Sequence, residues 1–427
     1  MNHLIIGAGP AGVIAAETLR RLDPEASITL IGDEPEPPYS RMALPYYLVR
    51  KIPEHGTYLR KTANHFDRSR IQLKLGRVAA LQPEQHTISL DSGERLDYDR
   101  LLIATGSHPF SPPIPGMDLP GIVPCWTLAN ARDIAGRAQP GAKVVLMGAG
   151  FIGCIILEAL ARSGADLTVV EMEDRMVPRM MNEKAGNLIK QWCLNRGVAV
   201  HTSTRIEAIE QGGRHPLRVL LDSGSTLEAD LIVSATGVRS NIGFFDGSGI
   251  DIDQGILIDR NMQTNCTDVY AAGDVAQGLD FSTGNYSVQA IQPTAAEHGQ
   301  IAARNMAGHT KALHRGSINM NVLDTLGLIS SSFGLWMGVD GGEAAEQYNP
   351  ERFQYLNLQF EEDRLMGATS LGLTQHVGVL RGLIQSKIGL GKWKSKLMQD
   401  PNRVMEAYLA NTQAIGFNAE VLKSPSR

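Results

Sequence analysis

From His3 the chain runs apolar through Leu4-Ile5-Ile6 and breaks at Gly7-Ala8-Gly9-Pro10-Ala11-Gly12. It resumes with Val13, Ala16, Leu19 and Leu22 at helical spacing, then turns apolar again at Ile28-Thr29-Leu30-Ile31 before Gly32-Asp33-Glu34. A short apolar run, a glycine turn, a 3.6-residue periodicity and a second apolar run predict strand, turn, helix, strand. The succession returns further on: Lys143-Val144-Val145-Leu146-Met147, then Gly148-Ala149-Gly150-Phe151-Ile152-Gly153, a helix through Leu157, Leu160 and Ala161, and Leu167-Thr168-Val169-Val170-Glu171. Three further strand ends stand at Leu101 to Gly106, Leu231 to Gly237 and Val269 to Asp274. Prolines 109, 112, 113 and 115 follow the first, and a Gly/Ser-rich stretch to Gly249 follows the second. Those two ends are expected to be crossings between domains, with the second unit inserted into the first.

The chemistry of such a turn follows from its glycines. The first permits the tight turn, the second lets the backbone approach a pyrophosphate, and the third lets helix meet strand, while the helix N-terminus offers unpaired N–H groups to the phosphates. Asp33 and Glu34 end the strand that follows the first turn, where an acidic side chain can hold ribose hydroxyls. At the second turn the strand ends in Glu171, followed by Met172, Glu173 and Asp174 before Arg175. Three carboxylates repel a 2′-phosphate, and Glu171 accepts hydrogen bonds from a free 2′-OH, so NADH is favoured over NADPH. Two sites imply two dinucleotides and a hydride passed between them. Asp274, after a glycine at a strand end, is placed to accept a hydrogen bond from a polyol hydroxyl or, more plainly, to form a turn or cap.

Composition narrows the picture. The 427 residues exceed what one hydrophobic core usually serves, and 43% hydrophobic with 20% charged residues describes a globular chain. Forty Lys+Arg against forty-five Asp+Glu give a net charge of −5, which offers a phosphate backbone no general attraction and excludes nucleic acid as an expected partner. The longest uncharged apolar run, Val144 to Leu157, is too short for a bilayer and interrupted by glycines, and Met1 leads directly into a strand. No transmembrane segment is expected, and the cytoplasm is the expected location. Cys125, Cys154, Cys193 and Cys266 form no C-x-x-C and no metal-type pairing, and read as inert thiols.

Together these motifs resemble the two-dinucleotide-binding flavoprotein superfamily. The similarity is greatest to rubredoxin and putidaredoxin reductase-like NADH-dependent flavoproteins and to the flavoprotein part of assimilatory nitrite reductases. The resemblance implies FAD on Gly7, Gly9, Gly12, Asp33, Glu34 and Arg41, with Asp274 at its ribityl chain, and NADH on Gly148, Gly150, Gly153 and Glu171. It sets Pro38-Tyr39-Ser40-Arg41-Met42-Ala43-Leu44 beside the flavin. It also aims the helix beginning Ile291-Gln292-Pro293 at the flavin ring, Pro293 suiting a first helical turn. Many ferredoxin reductase-like members carry a Lys–Glu pair near flavin N5, where this chain has Tyr46 and Ile155. Tyr46 or Tyr47 then either gates the ring or simply packs. The cysteines of the disulfide-reductase branches are absent from the first long helix and from Met42-Ala43-Leu44-Pro45, which implies no cysteine relay.

From Arg315 the character changes. Phe353-Gln354-Tyr355-Leu356-Asn357-Leu358-Gln359-Phe360 alternates and predicts an antiparallel sheet in an α+β unit. Val377, Leu380, Leu383, Ile384, Ile388 and Trp393 fall at helical spacing with Arg381, Lys387, Lys392, Lys394 and Lys396, and no acid occurs between Asp363 and Asp400. A basic amphipathic helix is expected here, to dock an acidic carrier, lie on an anionic membrane, or pack with a solvated face.

The expected architecture is therefore an α/β protein with two Rossmann-like domains and a C-terminal α+β domain. The FAD domain is placed at 1–112 and 244–312, the NAD domain at 113–243, and the C-terminal domain at 313–427. The expected function is a hydride passed from NADH to FAD, then electrons delivered to a small iron–sulfur carrier or partner subunit. The alternative is a redox-responsive flavoprotein that binds partners after an NADH-driven conformational change. No metal ligands are expected, and the oligomeric state and the identity of the acceptor are not specified by the sequence.

Overall fold

The computed structural model describes residues 1–245, 247–308 and 312–411, so 412–427 of the expected C-terminal domain lie outside the described residues. The chain divides into two compact units, residues 1–110, 126–133 and 237–317 in one, and 111–125, 134–236 and the chain from 318 in the other.

The first unit is built on a five-stranded parallel sheet in the order Val269–Ala271, Arg100–Ile103, Asn2–Ile6, Ser27–Gly32, Gln72–Leu75. Leu4, Ile5, Leu30, Ile31 and Leu101 to Ile103 are almost wholly buried, as continuous apolar strands covered on both faces must be. Helices Pro10–Leu22 and Gln292–Met306 pack together so closely that a Cβ on Gly299 would lie 2.3 Å from the Ala11 carbonyl oxygen. The segment 126–133 joins this unit because Leu128 and Ala131, fully buried, pack with Tyr39 and Leu44.

The second unit repeats the design. Its parallel sheet runs Ala199–His201, Asp166–Val170, Lys143–Met147, Leu231–Ser234, Ile122–Pro124. In both sheets the strand entering the glycine turn is flanked by the next strand on one side and a much later one on the other. That reversal is where an open α/β sheet leaves a crevice for a ligand at its carboxyl edge. The two expected crossings pair with each other: Ser107–Pro109 lies antiparallel to Val238–Ser240, with Ser107 opposite Ser240.

The second unit also holds a five-stranded antiparallel sheet, Met320–Thr325, Leu328–Gly334, Arg364–Leu371, Gln354–Glu361, Glu343–Asn349 in spatial order. The single basic helix expected after it is corrected to two, Val377–Ser386 and Lys392–Gln399. Asp363 prevents continuity: its backbone oxygen accepts from Leu390 N and its carboxylate from Gly391 N, while Lys387 and Gly391 both take positive φ. Among the described residues no helix is long and apolar enough to cross a membrane.

Candidate functional site: two glycine cradles

Each cradle starts from the same local geometry. Gly7 N–H donates to Ile31 O and Gly148 N–H to Val170 O, both at 2.8 Å, which folds the turn back over the neighbouring strand. Gly7 (φ +113°) and Gly148 (φ +97°) occupy backbone conformations that L side chains rarely adopt. A Cβ on Gly7 would lie 2.0 Å from Ala104 O, and one on Gly148 2.7 Å from Ala235 O. The third glycines are equally crowded, Gly12 at 2.0 Å from Gly7 O and Gly153 at 2.2 Å from Gly148 O. The middle glycines differ. Gly9 and Gly150, the N-caps of their helices, would find nothing within 4 Å. Two glycines thus close the turn and one faces open space, on the side where the helix presents its free N–H groups. That space and donor set fit a diphosphate.

In the first unit Glu34 is half-buried, pairing with Arg41 at 2.9 Å and accepting from Tyr39 Oη at 2.6 Å, while Asp33 is exposed. Arg41 also donates to Trp126 O at 2.8 Å and lies over the Trp126 and Tyr39 rings. Ser40 Oγ donates to Gln292 Oε1 at 2.5 Å, which ties the 38–44 stretch to the start of the helix carrying Pro293. Asp274 follows Gly273 (φ +78°), and its Oδ2 accepts from Ser107 Oγ at 2.9 Å. Burial raises the Asp274 carboxyl above the usual range, against the lowering effects of Ser107 and the Arg41 charge. Tyr46 is 54% exposed, whereas Tyr47 packs into the cluster of Tyr39, Leu44 and Leu128.

In the second unit Glu171 is 6% exposed. Its Oε2 accepts from Ala149 N at 2.6 Å inside the glycine turn, and its Oε1 from Glu173 N at 2.9 Å. Ile155 is half-buried on the helix after that turn. Ser107 and Trp126 were not singled out from the sequence, and Gln292 entered only as part of a helix start, because their contacts come from segments far apart in the chain.

The structure groups Gly7, Gly9, Gly12, Asp33, Glu34, Arg41, Asp274 and Pro293 in one unit and Gly148, Gly150, Gly153 and Glu171 in the other. Two such cradles, each on its own doubly wound sheet, define a protein that works on two dinucleotides. The chain belongs to the pyridine nucleotide-disulphide oxidoreductase family, whose match spans residues 1–299. It is a flavoprotein oxidoreductase with FAD and NADH as cofactors. It is 30% identical to subunit epsilon of the NADH-dependent phenylglyoxylate dehydrogenase of Aromatoleum evansii, over 96% of this chain and 98% of that one. It is also 30% identical to the ferredoxin–NAD(+) reductase component of the anthranilate 1,2-dioxygenase system of Burkholderia cepacia, over 89% of this chain and 93% of the relative. Its fold matches that in the crystal structure of the covalent putidaredoxin reductase–putidaredoxin complex, with a TM-score of 0.88 and 23% identity over 96% of this chain and 99% of that one.

Proposed function

We propose that the protein takes a hydride from NADH onto FAD and hands electrons to a small iron–sulfur carrier or to a partner subunit that holds such a centre. The observation that carries this reading is the duplicated cradle, with its outer glycines closed against backbone oxygens and its middle glycine open. When bound, FAD supplies the conversion between a two-electron donor and one-electron acceptors. The chain's own residues orient and tune. Glu34 and Arg41 would hold the adenosine end of FAD and Asp274 its ribityl chain, and the N-terminus of Gln292–Met306 favours negative charge where the flavin ring would lie. Glu171 would read the ribose of NADH.

The acceptor class is supported by the relatives: one is named as a ferredoxin–NAD(+) reductase component and another as a dehydrogenase subunit. Direct delivery without a cysteine relay is supported by the thiols. Cys125, Cys154 and Cys193 are buried, and burial pushes Cys125 and Cys193 up to about 12, where the nucleophilic thiolate is scarce. The purified protein is expected to be yellow, to be bleached by NADH under anaerobic conditions, and to reduce a ferredoxin at an unchanged rate after thiol alkylation. A colourless protein that takes up no FAD would sink the reading, and loss of carrier reduction on alkylation would sink the direct route.

The cationic segment 377–399 is proposed as the carrier's landing site. Lys394 pairs with Glu343 and Lys396 lies over the Trp393 ring, so steering is assigned to the exposed Arg381 and Lys392. Exposed charges are screened over about 8 Å at physiological ionic strength, so carrier reduction is expected to slow as salt rises while flavin reduction by NADH stays level. Glutamate at Arg381 and Lys392 should lower the carrier's association rate alone. Stopped-flow traces with both half-reactions unaffected would reduce this segment to a solvated face.

A further inference from the structure

Ser107 and Ser240 stand opposite each other where the two crossing strands pair, and both are buried, at 5% and 8% exposure. Each holds a different part of Asp274. Ser107 Oγ donates to the carboxylate at 2.9 Å, and Ser240 Oγ donates to the backbone oxygen at 2.7 Å. Ser107 is itself fixed, because Trp126 Nε1 donates to its carbonyl at 3.0 Å. Trp126 in turn accepts from Arg41 through its own carbonyl and lies beneath the guanidinium, and Arg41 pairs with Glu34. A continuous chain of contacts therefore runs Asp274, Ser107, Trp126, Arg41, Glu34 within one unit. Among the described residues Asp274 Oδ1 has no hydrogen bond, which leaves it for a ligand hydroxyl.

Resting on the FAD reading above, we propose that Ser107 and Trp126 are positioning residues of the flavin site: Ser107 aims the Asp274 carboxylate, and Trp126 locks Ser107 and Arg41 into one frame. Two carboxylates at opposite ends of a long cofactor are then set by a single hydrogen-bonded unit, so a ligand held at one end meets the other already oriented. Ser107 is suited to this because a hydroxyl can donate to a carboxylate while its backbone stays in the strand pair. Arg41 is the charged group that bears on Asp274, and its pull adds to that of Ser107. Removing the hydroxyl leaves Arg41 alone against burial, so the carboxyl would keep its proton to higher pH.

The test is FAD binding to the apoprotein, read by flavin fluorescence quenching from pH 5 to 8, for the native chain and for Ser107→Ala, Ser107→Thr and Trp126→Phe. Loss of a hydrogen bond to a charged group is expected to weaken FAD about tenfold in S107A at neutral pH. Because the ionised carboxylate is the better acceptor for a ribityl hydroxyl, binding weakens on acidification, and that limb should move to higher pH in S107A. S107T, which keeps the donor, should restore both affinity and limb. W126F, which keeps an aromatic ring under Arg41 but loses the indole donor and part of the ring face, should weaken FAD about fivefold. Native affinity and pH profile in S107A would overturn the assignment, and so would a loss that leaves the limb in place and is not rescued by Thr. If S107A does not fold, native FAD affinity in W126F overturns it instead. A native chain that takes up no FAD would fail the flavin reading itself, an outcome separate from native binding with indifferent variants.

Discussion

Gly9→Val is expected to yield a folded protein that no longer retains FAD, whereas Gly12→Ala, a smaller change three residues away, is expected to compromise the fold. The two positions belong to one turn but face opposite ways. A Cβ at Gly12 would lie 2.0 Å from the Gly7 carbonyl oxygen and 3.1 Å from Leu30 Cδ1, and neither backbone nor core can withdraw that far. Forcing the overlap costs at least about 3 kcal/mol, at the upper end of what overpacked cores show. At Gly9 nothing stands within 4 Å, and φ −78°, ψ −174° is extended backbone that valine adopts freely. The remaining cost is that of a poor N-cap, about 1 kcal/mol. What valine does fill is the space from which the backbone would meet a pyrophosphate, so FAD affinity should fall by more than about a hundredfold. Thermal unfolding of the apoproteins and equilibrium FAD titration separate the two effects. Gly9→Val protein with native affinity would show that the cofactor lies elsewhere.

The same contrast shows what the sequence could and could not disclose. Spacing alone located both turns, both carboxylate-bearing strand ends and the repeated succession of strand and helix, because glycine conformational freedom and apolar periodicity are local properties. The antiparallel sheet was legible for the same reason, since Gln354–Glu361 alternates with the pleat. What spacing could not disclose depends on segments that meet only in the folded chain. Leu128 lies beyond the proline-rich crossing yet packs against Tyr39, Trp126 beside it accepts from Arg41, and Ser40 reaches Gln292, 252 residues on. The basic segment failed for a different reason: helical periodicity persists through 377–396, and only the carboxylate of Asp363, from a hairpin turn, reveals that the backbone at 389–391 is captured outside a helix. Tyr46 and Tyr47, indistinguishable as neighbours in sequence, part company because one enters the Tyr39 cluster and the other remains exposed.

Glu171→Ala is expected to weaken NADH binding and to erase the preference for NADH over NADPH. The carboxylate is not a free hook at the strand end. It accepts Ala149 N–H in the cradle and Glu173 N–H after the strand, so besides the ribose role proposed for it, it shapes the turn that would receive the pyrophosphate. Alanine removes both acceptors and leaves two amide donors without their partner, Ala149 being fully buried. Each lost charge-assisted bond is worth about 1.5–3 kcal/mol, divided between a looser turn and a weaker grip on the dinucleotide. NADH affinity should therefore drop by about 1–3 kcal/mol, roughly five- to 150-fold. NADPH should lose less, because the mutation also removes the charge that repels its 2′-phosphate. Glu171→Gln provides the finer separation: one side-chain oxygen can still accept from Ala149 N, while the amide NH2 opposes Glu173 N–H and no longer repels a phosphate. Gln should therefore keep more of the turn's stability than Ala and still narrow the coenzyme preference. Rapid-reaction reduction of the bound flavin by each nucleotide gives both numbers. Equal or better use of NADPH by the native protein would sink the role assigned to Glu171, since among the described residues no other carboxylate of this strand end is tied into the cradle.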